Sequence, residues 1–256
     1  MISVNALLRY PVKGLTAEQV DGISIGTGET FPADRAFAVE NGPSGFDPAA
    51  PAWLPKAKFL CWMKHPKLAR LVSRYDDSSG VLSVESPDAS ASGHLGSADG
   101  RAAIETFLTA YMGEEARKPL RLLQAPGHSF SDVARKVVSF INLASVDDIA
   151  RALGVHVDPA RFRSNVLLDG LPAWSEATWI GKEFTVGTTR FRAVKTIPRC
   201  LATHVDPQTG TRDLDVMATI RSLRGDMDCG IYAEVIAPGT MARGDELRLA
   251  QPELGF

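Results

Sequence analysis

The sequence predicts an α+β fold rich in barrel-like β-sheet with a few helices, and three observations predict it. Most apolar runs are short and are punctuated by clusters of Gly, Pro and Asp, as in sandwiches and barrels. Helical periodicity surfaces in only a few isolated segments. Strand-like runs then return without the regular strand–helix alternation of a doubly wound parallel sheet. The 256 residues suffice for one large domain or two ordinary ones, and 45% hydrophobic with 23% charged residues is the balance of a folded chain with a sizeable core.

Taken in order, Val4 to Leu8 is an apolar strand ended by Arg9-Tyr10-Pro11, because a proline holds its predecessor extended. Val20 to Ile25 alternates over a short strand, and Ala36 to Glu40 is another, broken by Asn41-Gly42-Pro43. The proline-rich stretch from Gly42 to Pro55 is an irregular loop. Leu68 to Tyr75 and Val81 to Ser86 form a strand pair about the turn Asp76 to Gly80. Pro87 to Gly100 is Ser, Ala, Gly and Asp with almost no large apolar side chain, so it reads as a mobile loop at a domain seam. That seam divides the chain into residues 1–100 and 101–256.

Ile104, Phe107, Leu108 and Tyr111 then recur at helical spacing up to Gly113. Ser145 is placed as the N-cap of a second helix closed by Gly154, with Asp147 and Asp148 in its first turn. Asp158-Pro159 is a cap followed by proline at the first helical position. Strands resume at Val166 to Leu168, Glu183 to Val186 and Arg190 to Val194, the last two closing a hairpin at Gly187-Thr188-Thr189. Val216, Met217, Ile220 and Leu223 make one more helical stripe before Gly225, and Ile231 to Ile236 and Glu246 to Leu249 end the chain as strands.

Twenty-eight Lys and Arg against thirty Asp and Glu leave a net charge of −2, which gives no whole-chain reason for nucleic acid or an anionic membrane as partner. Cys61, Cys200 and Cys229 lie far apart, so neither a disulfide framework nor a CxxC metal knuckle can be read, and a reducing compartment is expected. With no leader-like N-terminus and no apolar run of the roughly 20 residues that a membrane helix needs, the expected setting is the cytoplasm. The scattered histidines lack zinc-ligand spacing.

The stretch Ile197-Pro198-Arg199-Cys200-Leu201-Ala202-Thr203 follows a strand ending near Lys195, which puts Cys200 on a loop at a barrel mouth. Arg199 sets a fixed positive charge beside the thiol, and a neighbouring cation favours the thiolate that binds metal or attacks as nucleophile. By residue type alone, the same cysteine reads as a small buried hydrophobe. Lys13, Arg35 and Arg163 each adjoin a short apolar strand and could converge on a cleft to bind an anion. Each reads equally as a solvated surface charge.

Tyr10-Pro-Val-Lys-Gly14 with Asp34-Arg35 resembles the opening of the MOSC N-terminal β-barrel domain. Phe162-Arg-Ser-Asn-Val166, Pro198-Arg-Cys200, Thr203 to Gly210 and Tyr232 to Gly239 with Gly244-Asp245 resemble successive landmarks of the MOSC domain. The order of these landmarks is similar to that in the two-domain group containing the mitochondrial amidoxime-reducing components and their bacterial relatives. The resemblance implies a MOSC N-terminal β-barrel domain over 1–100 and a MOSC β-barrel domain over 101–256. It implies a molybdenum cofactor (Mo-molybdopterin), with Cys200 as the protein ligand to the metal. Lys13, Arg35, Arg163, Asn165 and Arg199 would contact the pterin and its phosphate. Gly14, Ser164, Pro198 and Tyr232 would line the same site, and Asn142 would touch it beside the second helix.

Two departures accompany these positions: Gly14 stands where the amidoxime reducers carry a hydroxyl residue, and Pro198 replaces a small polar residue. The implied reaction is reduction of small N-hydroxylated substrates. Three dispersed cysteines cannot supply the four ligands of a [2Fe–2S] cluster. Electrons would therefore come from a separate ferredoxin, flavodoxin or cytochrome b5-like protein. The alternative is a carrier of the cofactor, or of persulfide sulfur on Cys200, without turnover.

Overall fold

The computed structural model describes residues 1–250. The first half carries β1 (Ser3–Arg9), β2 (Glu18–Val20), β3 (Gly22–Ile25), β4 (Phe37–Asn41), β5 (Val72–Asp76), β6 (Val81–Glu85), β7 (Ser90–His94), α1 (Ala98–Met112) and β8 (Leu120–Gln124). The second half carries β9 (Val138–Asn142), α2 (Leu143–Leu153), β10 (Val166–Asp169), β11 (Glu183–Val186) and β12 (Thr189–Pro198). It ends with α3 (Val216–Arg224), β13 (Asp228–Ala237), β14 (Gly239–Ala242) and β15 (Leu247–Leu249).

The main sheet runs β15-β11-β12-β13-β9-β10-β1-β2. Its one parallel pair, β9 with β10, is joined through α2, the crossover that parallel neighbours require. The start of β1 meets the segment entering β15 through Val4 N–H to Asp245 O at 2.9 Å and Leu247 N–H to Ile2 O at 2.9 Å, so the sheet curls back on itself. Alternation along β12 and β13 turns Phe191, Ala193, Ile231, Ala233 and Val235 inward, where they pack with Phe140 and Phe184. On the outer face, Ile141 and Leu167 pack under Val146 and Ile149 of α2 and Val216 and Ile220 of α3. The first half has its own core, in which Ile104, Leu108 and Met112 of α1 meet β6, β8 and the segment around Trp62 and Leu68.

The predicted α+β, barrel-rich class is the observed one, and three local expectations are corrected. Residues 87–100 are not a loop: they form β7 and the first turn of α1, capped by Ser97 accepting from Gly100 N–H. Small side chains there permit close packing rather than disorder, since a Cβ on Gly93 would stand 2.1 Å from the Gly100 carbonyl oxygen. Helix α2 is capped by Asn142, whose side chain accepts from Ala144 N–H, while Ser145 lies inside the helix, bonded to Glu176. Residues 20–25 split into β2 and β3, which join different sheets.

Candidate functional site

β1 runs out into Tyr10-Pro11-Val12-Lys13-Gly14, held by a bridge between Val12 and Phe37 and by Lys13 N–H donating to the Phe37 carbonyl at 2.8 Å. Gly14 has φ +83°, and a Cβ there would stand 2.4 Å from the Leu60 carbonyl oxygen, so glycine alone fits. Arg35 and Arg163 also adopt left-handed φ, at 50° and 52°. For long side chains that conformation is uncommon and persists where surrounding structure enforces it.

The enforcing structure is a stack. Both guanidiniums lie over the buried Tyr10 ring, with Arg35 Cζ 4.3 Å and Arg163 Cζ 4.4 Å from its centroid. Trp62 covers Arg163 at 4.6 Å. Arg35 pairs with Asp34 and donates to the Arg163 carbonyl at 2.8 Å, joining the two halves of the chain. Asp34 also receives Tyr10 N–H at 2.9 Å. Arg163 Nη1 is buried without a hydrogen-bond partner among the described residues, and burial pulls this guanidinium down to about 10.

β12 extends to Pro198, and Cys200 opens the short turn Leu201–His204 with a half-buried sulfur. Arg199 does not serve this thiol. Its guanidinium donates to the Cys229 carbonyl at 2.7 Å and the Phe162 carbonyl at 2.8 Å, tying the loop to β13 and to the turn before Arg163. The cation beside the sulfur is Lys56, from the proline-rich side, with Nζ 3.3 Å from Cys200 Sγ and 2.9 Å from Asp132 Oδ2.

Asp132 is shared with Lys13, whose Nζ also donates to the Phe130 carbonyl at 2.8 Å. Desolvation opposes ionisation of Asp132, yet the two lysines hold its carboxyl well below the usual range. Burial pulls Lys13 down despite Asp132. For Lys56, desolvation is outweighed by Asp132 and the Cys200 sulfur, and its affinity for the proton rises.

These groups line one cavity between the two halves of the chain, with seven basic side chains against two carboxylates on its wall. Of the residues singled out from sequence, Lys13, Gly14, Arg35 and Arg163 reach it, as do Asn165, Pro198, Arg199, Cys200 and Tyr232. Asn165 reaches it with its polar atoms already committed: Oδ1 accepts from Ser139, and Nδ2 donates to the Leu8 carbonyl. Tyr232 sits on β13 opposite Lys195 of β12 and Ser139 of β9, and burial pushes its phenol up.

Two expected residues are elsewhere. Asn142 is wholly buried, capping α2 and donating to the Pro172 carbonyl and Glu176, so it is structural. Ser164 is buried outside the cavity wall, its carbonyl 3.4 Å from the Tyr10 hydroxyl. Sequence reading missed Tyr10, Lys56, Trp62 and Asp132. Tyr10 lies within the recognised Tyr10-to-Gly14 motif, but Lys56, in the short turn Lys56–Lys58, and Trp62 and Asp132, outside any strand or helix, lie where no periodicity shows which way a side chain points. Among the described residues, no group of three His, Cys, Asp or Glu side chains could enclose a metal. Nor is any helix there long and apolar enough to cross a membrane.

Residues 1–117 match the family model described as the MOSC N-terminal beta barrel domain, and residues 125–248 that of the MOSC domain. Over 117 residues, 44% of this chain, it is 35% identical to the molybdenum cofactor sulfurase of Caenorhabditis briggsae, of which the match covers 16%. Over 133 residues, 47% of this chain, it is 29% identical to mitochondrial amidoxime-reducing component 1 of Mus musculus, of which it covers 38%. The match thus spans well under half the length of these curated relatives. The solved YUAD protein from Bacillus subtilis aligns over 96% of this chain and 94% of its own, with 14% identity and a TM-score of 0.49. With both halves matched in order, the chain belongs to the MOSC family, a MOSC N-terminal β-barrel domain preceding the MOSC domain.

Proposed function

We propose that this cavity binds a molybdenum cofactor, with Cys200 as the protein's sulfur ligand, and that the protein reduces N-hydroxylated compounds such as amidoximes, hydroxylamines or N-hydroxylated bases. One observation carries the reading: a half-buried thiol shares a cavity with an excess of basic side chains, one of which keeps a buried donor unpartnered. Leaving such a donor without an acceptor is costly, and a phosphate supplies one.

The donor set fits the group. Arg163, with its unpartnered Nη1, would hold the phosphate, and Arg35, fixed by Asp34 over the same Tyr10 ring, would stiffen that arrangement. Arg199 fixes the backbone that presents Cys200, and Asn165 fixes the strand ends on which Arg163 rides. When bound, the cofactor supplies two-electron transfer at a metal, a chemistry no side chain here performs. The electrons would come from a donor such as a ferredoxin, flavodoxin or cytochrome b5-like protein, since the three dispersed cysteines of the described residues build no iron–sulfur site.

The test is elemental analysis and pterin fluorescence of protein purified from a cofactor-competent host, beside Cys200→Ala. Molybdenum is expected in the first and largely lost in the second. Equal metal in both would remove Cys200 as ligand. Similarity to the cofactor sulfurases favours a second reading, a carrier of cofactor or of persulfide on Cys200. Reduction of benzamidoxime by the loaded protein with a reduced viologen dye supports the reductase. A persulfide found by mass spectrometry without turnover supports the carrier.

A further inference from the structure

Arg163 aside, most of the basic donors around the cavity already have partners. Arg161 is paired with Asp213 and Asp206, and Arg199 is consumed by two carbonyls. Arg35 is held by Asp34. At the mouth, however, the count does not close: two ammonium groups, Lys13 and Lys56, share the single carboxylate of Asp132. Lys13 is buried, whereas the Lys56 side chain is 28% exposed, so the surplus charge is reachable at Lys56. Among the described residues its only other partner is the Cys200 sulfur at 3.3 Å, which in the proposed function belongs to the metal. Lys195, exposed on the same wall, has no ion pair among the described residues.

Resting on the reductase reading, we propose that Lys56 is a specificity-determining residue and that the preferred N-hydroxylated substrate carries a carboxylate, which pairs with Lys56 while its N–O group enters the cavity. Asp132 orients Lys56 from the second loop and takes no part in the recognition itself. A neutral or cationic substrate would leave the surplus ammonium facing it unpaired, so discrimination arises from repulsion as well as attraction. The reaction balances as R–C(=NOH)NH2 plus two electrons and two protons giving R–C(=NH)NH2 and water. The N–O bond breaks, nitrogen is reduced, and the electrons come from a one-electron donor such as a reduced viologen dye.

The experiment compares 4-carboxybenzamidoxime with benzamidoxime, which differ only in the carboxylate, on the loaded protein and on Lys56→Met and Lys56→Arg. Wild type is expected to favour the carboxylated compound in kcat/KM by about tenfold, the worth of one charged hydrogen bond. That ratio should fall to about one in Lys56→Met and return in Lys56→Arg. The second readout uses cofactor-free protein, where the carboxylated compound should protect Cys200 from iodoacetamide better than benzamidoxime does, and Lys56→Met should remove the difference. No preference in either assay, or a preference that survives Lys56→Met, overturns the proposal. Lack of turnover on both compounds alongside Lys56-dependent protection would count against the reductase reading and leave the carboxylate site standing.

Discussion

At the scale of single residues, three cysteines meet three environments. Cys200 is half-buried on a turn, Cys61 is buried against the cavity floor, and Cys229 is wholly enclosed. Burial pushes the Cys229 thiol up to about 12 and also raises Cys61. Iodoacetamide at pH 8 is therefore expected to modify Cys200 first, with one rapid addition by mass spectrometry that vanishes in Cys200→Ser. Rapid labelling of Cys229 in native protein would contradict the structure. Gly14 sets a second constraint, because φ +83° and the Leu60 carbonyl both exclude a side chain. Gly14→Ser should lower stability by about 2–4 kcal/mol, combining the left-handed penalty with overpacking. Urea unfolding with an unchanged midpoint would refute that. A hydroxyl side chain at this position is thus not accommodated by this backbone.

At the scale of elements, the β5–β6 hairpin shows how a sequence turn becomes a titrating device. Asp76 accepts from the Ser78 hydroxyl at 2.7 Å, Ser79 hydroxyl at 2.9 Å and Ser78 N–H at 2.9 Å. These bonds hold its carboxyl down to about 2 from an ordinary 3.8. A carboxyl lowered by folding stabilises above its unfolded value and loses that contribution as pH falls through the folded one. The native-state carbon-13 titration of Asp76 is expected to centre near 2, and the melting-point deficit of Asp76→Ala at pH 7 to close as pH drops through that range. An unshifted titration would mean the turn is open in solution. The turn residues announced this hairpin, whereas the small-residue run after it read as a loop. Its strand and helix are set by how closely two glycine-bearing backbones approach, a quantity periodicity does not encode.

At the scale of the molecule, the N-terminal strand is the joint on which both halves depend. β1 lies between β10 and β2, and its first residues bond to the segment before β15. The MOSC match begins at residue 125, yet its sheet is incomplete without residues 3–9. Residues 118–256 expressed alone should leave β10 as an open apolar edge, prone to aggregation. No cooperative thermal transition is expected by circular dichroism, and a soluble fragment melting sharply would overturn this. The same interleaving assembles the cavity, since Lys13, Arg35 and Lys56 come from the first half and Arg163 and Cys200 from the second.

By itself the sequence determined the class, most strands, the helices closed by Gly113, Gly154 and Gly225, and a family pattern pointing to Cys200, Lys13, Arg35 and Arg163. Those features are local: hydrophobic period, capping residue and motif order are all written along the chain. Only the tertiary structure decided that Lys56 rather than Arg199 attends the thiol, that Asp132 is shared by two lysines, and that Asn142 caps a helix instead of lining the site. Each of those outcomes depends on where a long side chain from one loop ends relative to another loop many residues away. Charge and hydrogen-bond pairing settle that in space, after the sheet has closed.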